Sequence, residues 1–430
     1  MVLNVYTPAA NDGRRRPVFF YVHGGGFGDG SGCAPGVEGT YLAARGDIVV
    51  VTINHRLNVL GHLYLGDAGP YADAGNSGIL DIITALSWVR ENIAVFGGDP
   101  DNVTICGQSG GGSKVAVLMT TPLAKGLFRR AIIQSGSSLL RMATREEALR
   151  GSNALLAELD ISRNRLDDLQ RVPLETLMAA MRKAESAVGN HFRPVVDGRT
   201  LPAHPFSPGA FGESADVPLL IGSCEDELRF HMGAGLGNFS LTDADMRARV
   251  RNFIGIDDAK TEQLIAEWRR NHPSASPSDI MFSIFSEYQY RRNNLAAAES
   301  KTALEKAQVF MYLFTWKTKM MEGHLRTPHT MCLAFCFGTV DAAAGMLGTG
   351  ADVQALKERV MDAWIAFART GNPSHAGLPA WPPFSLAGRP TMDFDNQCLV
   401  VNDPKSADRL ALKDYPEYVP AECRGPRENQ

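Results

Sequence analysis

The runs VFFYV at 18–22, IVVVTI at 48–53, VTIC at 103–106 and AIIQ at 131–134 are short and almost unbroken by polar residues. A strand with water on one face alternates polar and apolar side chains, whereas a strand without alternation has both faces covered. Such runs predict a mainly parallel sheet with helices on both faces. Between them, Ile79, Ile82, Ile83, Leu86, Val89 and Ile93 recur at three- and four-residue steps and predict a helix; residues 114–118 predict another, packed back on the sheet. The runs at 217–221 and 309–314 add two strands. Leu356, Val360, Trp364 and Phe367 mark a long helix from near Asp352 to Gly371, with Pro373 beyond. Strands alternating with helices define an α/β fold class.

Residues 141–185 and 242–300 are charged, helix-periodic and poor in strand formers, and no proline- or serine-rich linker sets them apart. They read as helical insertions forming a lid or pocket wall. One domain over 1–430 is therefore expected, although length alone suits two or three. With 43 Lys+Arg against 47 Asp+Glu, the chain has no basic field for nucleic acid; the densest run, Arg14, Arg15 and Arg16, sits in a turn. No apolar stretch approaches the roughly 18 residues of a membrane span. The residues after Met1 read as a strand and a turn, without the charged and apolar regions of a signal peptide. The seven cysteines (33, 106, 224, 332, 336, 398 and 423) show no metal-ligand spacing and are expected to be reduced. A cytoplasmic location is expected if the chain is complete, and a secreted or periplasmic one if an N-terminal segment precedes it.

The sharpest local signal is Gly107-Gln108-Ser109-Gly110-Gly111, directly between the run at 103–106 and a helix. A serine on so tight a strand-to-helix turn is crowded by neighbouring chain, and glycine two before and two after relieves the crowding. The turn presents Ser109 at the carboxyl end of the sheet, where open α/β sheets bind ligands. The bland alternative is a glycine-rich turn with a solvated serine. A second signal, His23-Gly24-Gly25-Gly26-Phe27, also follows a strand directly. Consecutive glycines let N–H groups reach a ligand oxygen, so Gly25, Gly26 and Gly110 are candidates for an oxyanion hole. A phosphate loop would need a different glycine spacing, absent here.

In α/β-hydrolases the order is Ser, then acid, then His. Glu225, Asp226 and Glu227 follow the run at 217–221; the cluster locates the acid without choosing among the three. Of the ten histidines, His231, His272, His324, His329 and His375 follow. His272 and His375 lie in polar loops and read as solvated. His329, after the strand at 309–314 and before an apolar run, suits the lip of the sheet, and His231 and His324 stay open on spacing alone.

At this point the residues resemble a family, the type B carboxylesterases related to cholinesterases, which have the α/β-hydrolase fold. The likeness runs through the blocks at 3–8, 23–27, 75–76, 96–100, 107–111, 134–136, 194–198 and 364–373. It implies a serine hydrolase that cleaves carboxylic esters through an acyl-enzyme intermediate, with no metal or organic cofactor and a small-molecule ester as partner. The family's acid falls on Glu227, in Gly222-x-x-x-Asp226-Glu227. Its histidine falls on His329, ahead of a strand end at Phe335-x-Phe337-Gly338. Four departures stand out, one of them Gly110 where an alanine often follows the serine, which still offers the needed N–H. Gln108 replaces a common Glu before the serine, Cys332 replaces another Glu, and Leu228 replaces a glycine after the acid. Losing two acids predicts a less negative pocket, poorly suited to a quaternary ammonium leaving group. The chain also starts inside the family pattern, just before Leu3: either the start is cut late, or the member lives without the segment, in which case exposed edge strands and pocket wall are expected. Two competitors remain: a hormone-sensitive-lipase-like esterase with an aspartate acid, and a non-catalytic cholinesterase-like binding protein. Nothing in the sequence sets the ester or the oligomeric state.

Overall fold

The computed structural model describes residues 1–418 apart from 67–68, 137–140, 190, 206, 208 and 233–234, so Cys423 lies outside the described residues. Its spine is one nine-stranded sheet in the order β1-β3-β2-β4-β5-β6-β7-β8-β9. The strands are β1 (Val2–Tyr6), β2 (Arg16–Val22), β3 (Val49–Asn54), β4 (Gly98–Gln108), β5 (Arg130–Gln134), β6 (Leu219–Cys224), β7 (Val309–Phe314), β8 (Pro390–Phe394) and β9 (Leu399–Asn402). All neighbours pair in parallel except β1 with β3 and β8 with β9, the two ends of the sheet.

The absence of alternation in the central strands has its counterpart in the packing. Val18, Phe20 and Val22 of β2 face one core, with the helices Ser77–Asn92 and Gly110–Thr120; Phe19 and Tyr21 face a second, with the helices Met331–Phe337 and Ala351–Thr370. Successive side chains point to opposite faces, so a strand with a core on each side has no polar position to spare.

Three details differ from expectation. β8 and β9 complete the sheet from segments with no strong apolar run; β9 is largely exposed at the edge. The region after His329 is a helix, Met331–Phe337, rather than a strand end. It is buried nearly all round, so it lacks the one-sided stripe of a surface helix, and Gly338 at φ +74° ends it. His272 and His375 are partly exposed, yet each is also held by a partner: His272 Nε2 lies 2.9 Å from Asp408 Oδ2, and His375 Nε2 3.0 Å from the Arg359 carbonyl.

The parallel register places the site. Gln108 pairs with Gln134, Gln134 with Gly222, and Cys224 with Phe314, so the carboxyl ends of β4 to β7 stand side by side. The insertions are helical, as Arg145–Glu158 and Leu174–Val188 in the first and Asp243–Ile254, Asp258–Asn271, Pro277–Ser286 and Arg292–Thr302 in the second. The second also contains a π-helical turn, Glu287–Arg291, a distortion that recurs at functional sites.

Candidate functional site

Ser109 sits between β4 and the helix Gly110–Thr120 at φ 57° and ψ −126°. A side chain disfavours that conformation, and surrounding contacts must hold it. Its N–H donates to the Gln134 carbonyl at 2.8 Å, and its carbonyl accepts from Ser113 N at 3.1 Å. The flanking glycines are required by contact: a Cβ on Gly107 would lie 2.2 Å from the Gly111 carbonyl oxygen, and one on Gly111 2.1 Å from that of Val22.

The loop after β2 folds against this turn. Gly25 and Gly26 have φ of +88° and +60°. A Cβ on Gly110 would fall 2.5 Å from the Gly26 nitrogen and 2.2 Å from its oxygen, so loop and elbow touch backbone to backbone. Among the described residues, the N–H groups of Gly25, Gly26 and Gly110 donate to no protein acceptor. Three N–H groups without a protein acceptor thus lie in the loop and the elbow that meet at Gly26 and Gly110.

Of the three acids, Glu227 is the one whose side chain meets His329. Its Oε2 pairs with His329 Nδ1, and its Oε1 accepts from Ser135 Oγ at 2.6 Å and Cys224 N at 2.8 Å. The carboxylate is wholly buried, and these donors compensate its lost hydration. Asp226 turns instead to Arg229, 3.0 Å away; burial, reinforced by Glu225, pushes its carboxyl up. Glu225 faces Lys405 and Lys317 at 3.5 and 3.6 Å. Burial would raise its carboxyl, but the two ammonium groups hold it below the ordinary range.

His329 is packed between rings, with His231 at 4.7 Å and Tyr290 at 4.9 Å between centroids. Tyr290 Oη lies 3.2 Å from His231 Nε2. Burial, then the neighbouring His329, lowers His231 to about 4, so this ring is neutral at pH 7. His324 stacks on Phe239, and its carbonyl accepts from Arg229. The Gln108 amide nitrogen lies 3.1 Å from His329 Nε2. Cys332 faces Gln134, whose Nε2 is 3.6 Å from its sulfur.

Ser135, Tyr290 and Lys114 were not singled out by sequence reasoning. Tyr290 comes from the π-helical turn of a distant insertion, which no local pattern announces. Lys114 did carry a signal, a lone charge in an apolar helix. Its Nζ donates to the His23 carbonyl at 3.2 Å and sits 5.8 Å over the Phe27 ring.

The profile described as "Carboxylesterase family" matches residues 1–411. The chain belongs to the carboxylesterase family. It is 35% identical to the para-nitrobenzyl esterase of Bacillus subtilis (strain 168) over 420 residues, 96% of this chain and 82% of that one. It is 30% identical to an acylcarnitine hydrolase of Mus musculus, over 96% of this chain and 73% of the relative. Among solved structures, the Geobacillus stearothermophilus carboxylesterase EST55 at pH 6.2 superposes with a TM-score of 0.83 at 38% identity, covering 95% of this chain and 84% of that one. Membership in this family makes the chain a serine hydrolase of carboxylic esters with the α/β-hydrolase fold. Among the described residues, no helix is long and apolar enough to cross a membrane, and no group of three or more His, Cys, Asp or Glu side chains is arranged to hold a metal ion.

Proposed function

We propose that this carboxylesterase works through Ser109, His329 and Glu227, with Gly25, Gly26 and Gly110 as the oxyanion hole. One observation carries the reading: hydrogen bonds run from Ser109 N to Gln134, and from the next residue, Ser135, through Glu227 to His329. Ser109, Ser135, Glu227 and His329, far apart in the chain, are thereby tied into one hydrogen-bonded chain beside the ends of β4, β5 and β6.

Glu227 accepts a hydrogen bond from Nδ1–H, which leaves the Nε2 lone pair of neutral His329 as the base. Ser109 Oγ attacks the ester carbonyl carbon and passes its proton to Nε2; the carbonyl oxygen becomes an oxyanion between the three free N–H groups. The imidazolium then protonates the departing alcohol, and an acyl-Ser109 remains. Water, deprotonated by the same histidine, attacks the acyl carbon and releases the carboxylic acid and Ser109.

The substrate class we favour is a neutral ester. Gln108 and Cys332 carry no charge where relatives often have carboxylates, which removes attraction for a cationic alcohol. The B. subtilis relative, named for para-nitrobenzyl esters, fits a neutral aromatic alcohol. We also read the chain as one domain built on the single sheet, with 141–185 and 242–300 as helical insertions.

The test is covalent labelling by an organophosphonate, with a chain-length series of p-nitrophenyl esters on the wild type and on Ser109→Ala. Labelling at Ser109 and loss of turnover in the alanine variant are expected. Folded protein that is neither labelled nor active would leave the non-catalytic binding reading.

A further inference from the structure

The nitrogen that must receive the serine proton is already engaged. His329 Nε2 faces the Gln108 amide nitrogen at 3.1 Å, and among the described residues no hydrogen bond joins Ser109 Oγ to His329. Glu227 settles the chemistry of this contact. Its carboxylate accepts from Ser135 and Cys224 and, through Oε2, from His329 Nδ1–H, so Nε2 is left with a lone pair. The Gln108 NH2 is then the donor. A glutamate here would have nothing to donate to that lone pair.

An sp² ring nitrogen has one lone pair and accepts one well-directed hydrogen bond. Gln108 and Ser109 are therefore rivals for the same site, although they are consecutive in the chain. Their backbones allow this. Gln108 ends β4 and is buried, while Ser109 follows it at positive φ, where the chain leaves the strand.

Resting on the proposed roles of Ser109 and His329, we infer that Gln108 is a positioning residue that latches the base. In the resting site its amide occupies Nε2, and Ser109 gains its base only when that hydrogen bond is exchanged for its own. The latch makes Ser109 less reactive toward electrophiles than an unobstructed triad would be. It also makes the identity of residue 108 a control on acylation rather than on ester binding.

The test compares Gln108→Met, a near-isostere without a donor, and Gln108→Glu, an isostere that only accepts, with the wild type. The readouts are the rate of organophosphonate labelling at Ser109 and the pH profile of kcat/KM, with thermal unfolding as the check on folding. For Gln108→Met, labelling rises on the order of fivefold, the factor that one neutral hydrogen bond is worth, and KM is unchanged. For Gln108→Glu, the acidic limb of the profile moves to higher pH, because a carboxylate beside Nε2 favours its protonated form. Folded Gln108→Met that labels no faster than the wild type, or more slowly, overturns the latch and leaves a structural role. If Gln108→Met does not fold, an unmoved acidic limb in Gln108→Glu overturns it. Wild type that is not labelled while folded removes the Ser109 reading, and the latch with it; labelled wild type with unresponsive variants removes the latch alone.

Discussion

Lys114 Nζ donates a 3.2 Å hydrogen bond to the carbonyl oxygen of His23, and the lysine side chain is wholly out of solvent. The helix that begins beside Ser109 is thus tied to the residue that begins the Gly24-Gly25-Gly26 loop. Burial, offset in part by Asp29, lowers the ammonium to about 7. The same ammonium, after burial, depresses His23 to about 4, so that ring is neutral wherever Lys114 is charged near neutral pH.

Replacing Lys114 with Met should therefore separate stability from activity. Below about pH 7 the folded and unfolded chains both hold this proton, and the cost of burying the charge is felt in full. Above it the folded form sheds the proton while the unfolded form keeps it to about 10.5, so stability rises across that window. Lys114→Met is expected to be more stable than the wild type at pH 6 by about 1–3 kcal/mol, with the advantage shrinking toward pH 10. Its kcat falls because the loop is no longer held. Chemical unfolding at the two pH values, with kcat beside it, checks both; an advantage that grows with pH contradicts the account.

The acid is tested by Glu227→Gln against Asp226→Asn. Glutamine carries no charge to stabilise the imidazolium and can turn its NH2 toward Nδ1, which favours the wrong tautomer, so kcat is expected to fall by roughly 10²–10⁴-fold. Asp226→Asn leaves kcat within about tenfold, but lowers Tm because buried Arg229 loses a partner. The reverse pattern would mark an enzyme with an aspartate acid.

Ser135→Ala removes the 2.6 Å donor to Glu227 Oε1 while leaving Ser109 untouched. A reduction of about tenfold in kcat, with little change in KM, is expected from a less well-oriented carboxylate. Steady-state kinetics on a p-nitrophenyl ester measures it.

Gly110→Ala asks whether the loop and the elbow must touch. A Cβ would meet the Gly26 backbone at 2.2–2.5 Å, so the loop has to retreat. Loss of an oxyanion donor costs about 10²-fold or more in kcat. Retention of full activity would show that the hole is formed elsewhere.

The neutral residues at 108 and 332 predict that a choline ester is hydrolysed no better than its uncharged isostere. Comparing kcat/KM for the pair decides it; a marked preference for the cation would require a negative charge at the site that Gln108 and Cys332 do not supply.

Much was legible in the sequence because it is local. The unbroken runs of β2, β3, β4 and β5 report two covered faces. Gly107 and Gly111 report the crowding of one turn, and the Leu356–Phe367 periodicity reports one helix. β8 and β9 were not legible, since short strands at the end of a sheet need no continuous apolar run. Nor was the helix Met331–Phe337, whose residues are apolar on every side and carry no period.

The chain by itself determined that a serine stands on a strand-to-helix turn behind a glycine loop, because those constraints act within a few residues. Tertiary structure decided which partners the serine's neighbours find. Parallel register brings the ends of β4, β5, β6 and β7 together, and only that alignment turns Glu227 rather than Asp226 toward His329. The same packing sets Lys114 against His23 and the Gln108 amide against His329 Nε2. Such contacts depend on strand order and on the direction of a buried side chain, which no spacing along the chain encodes.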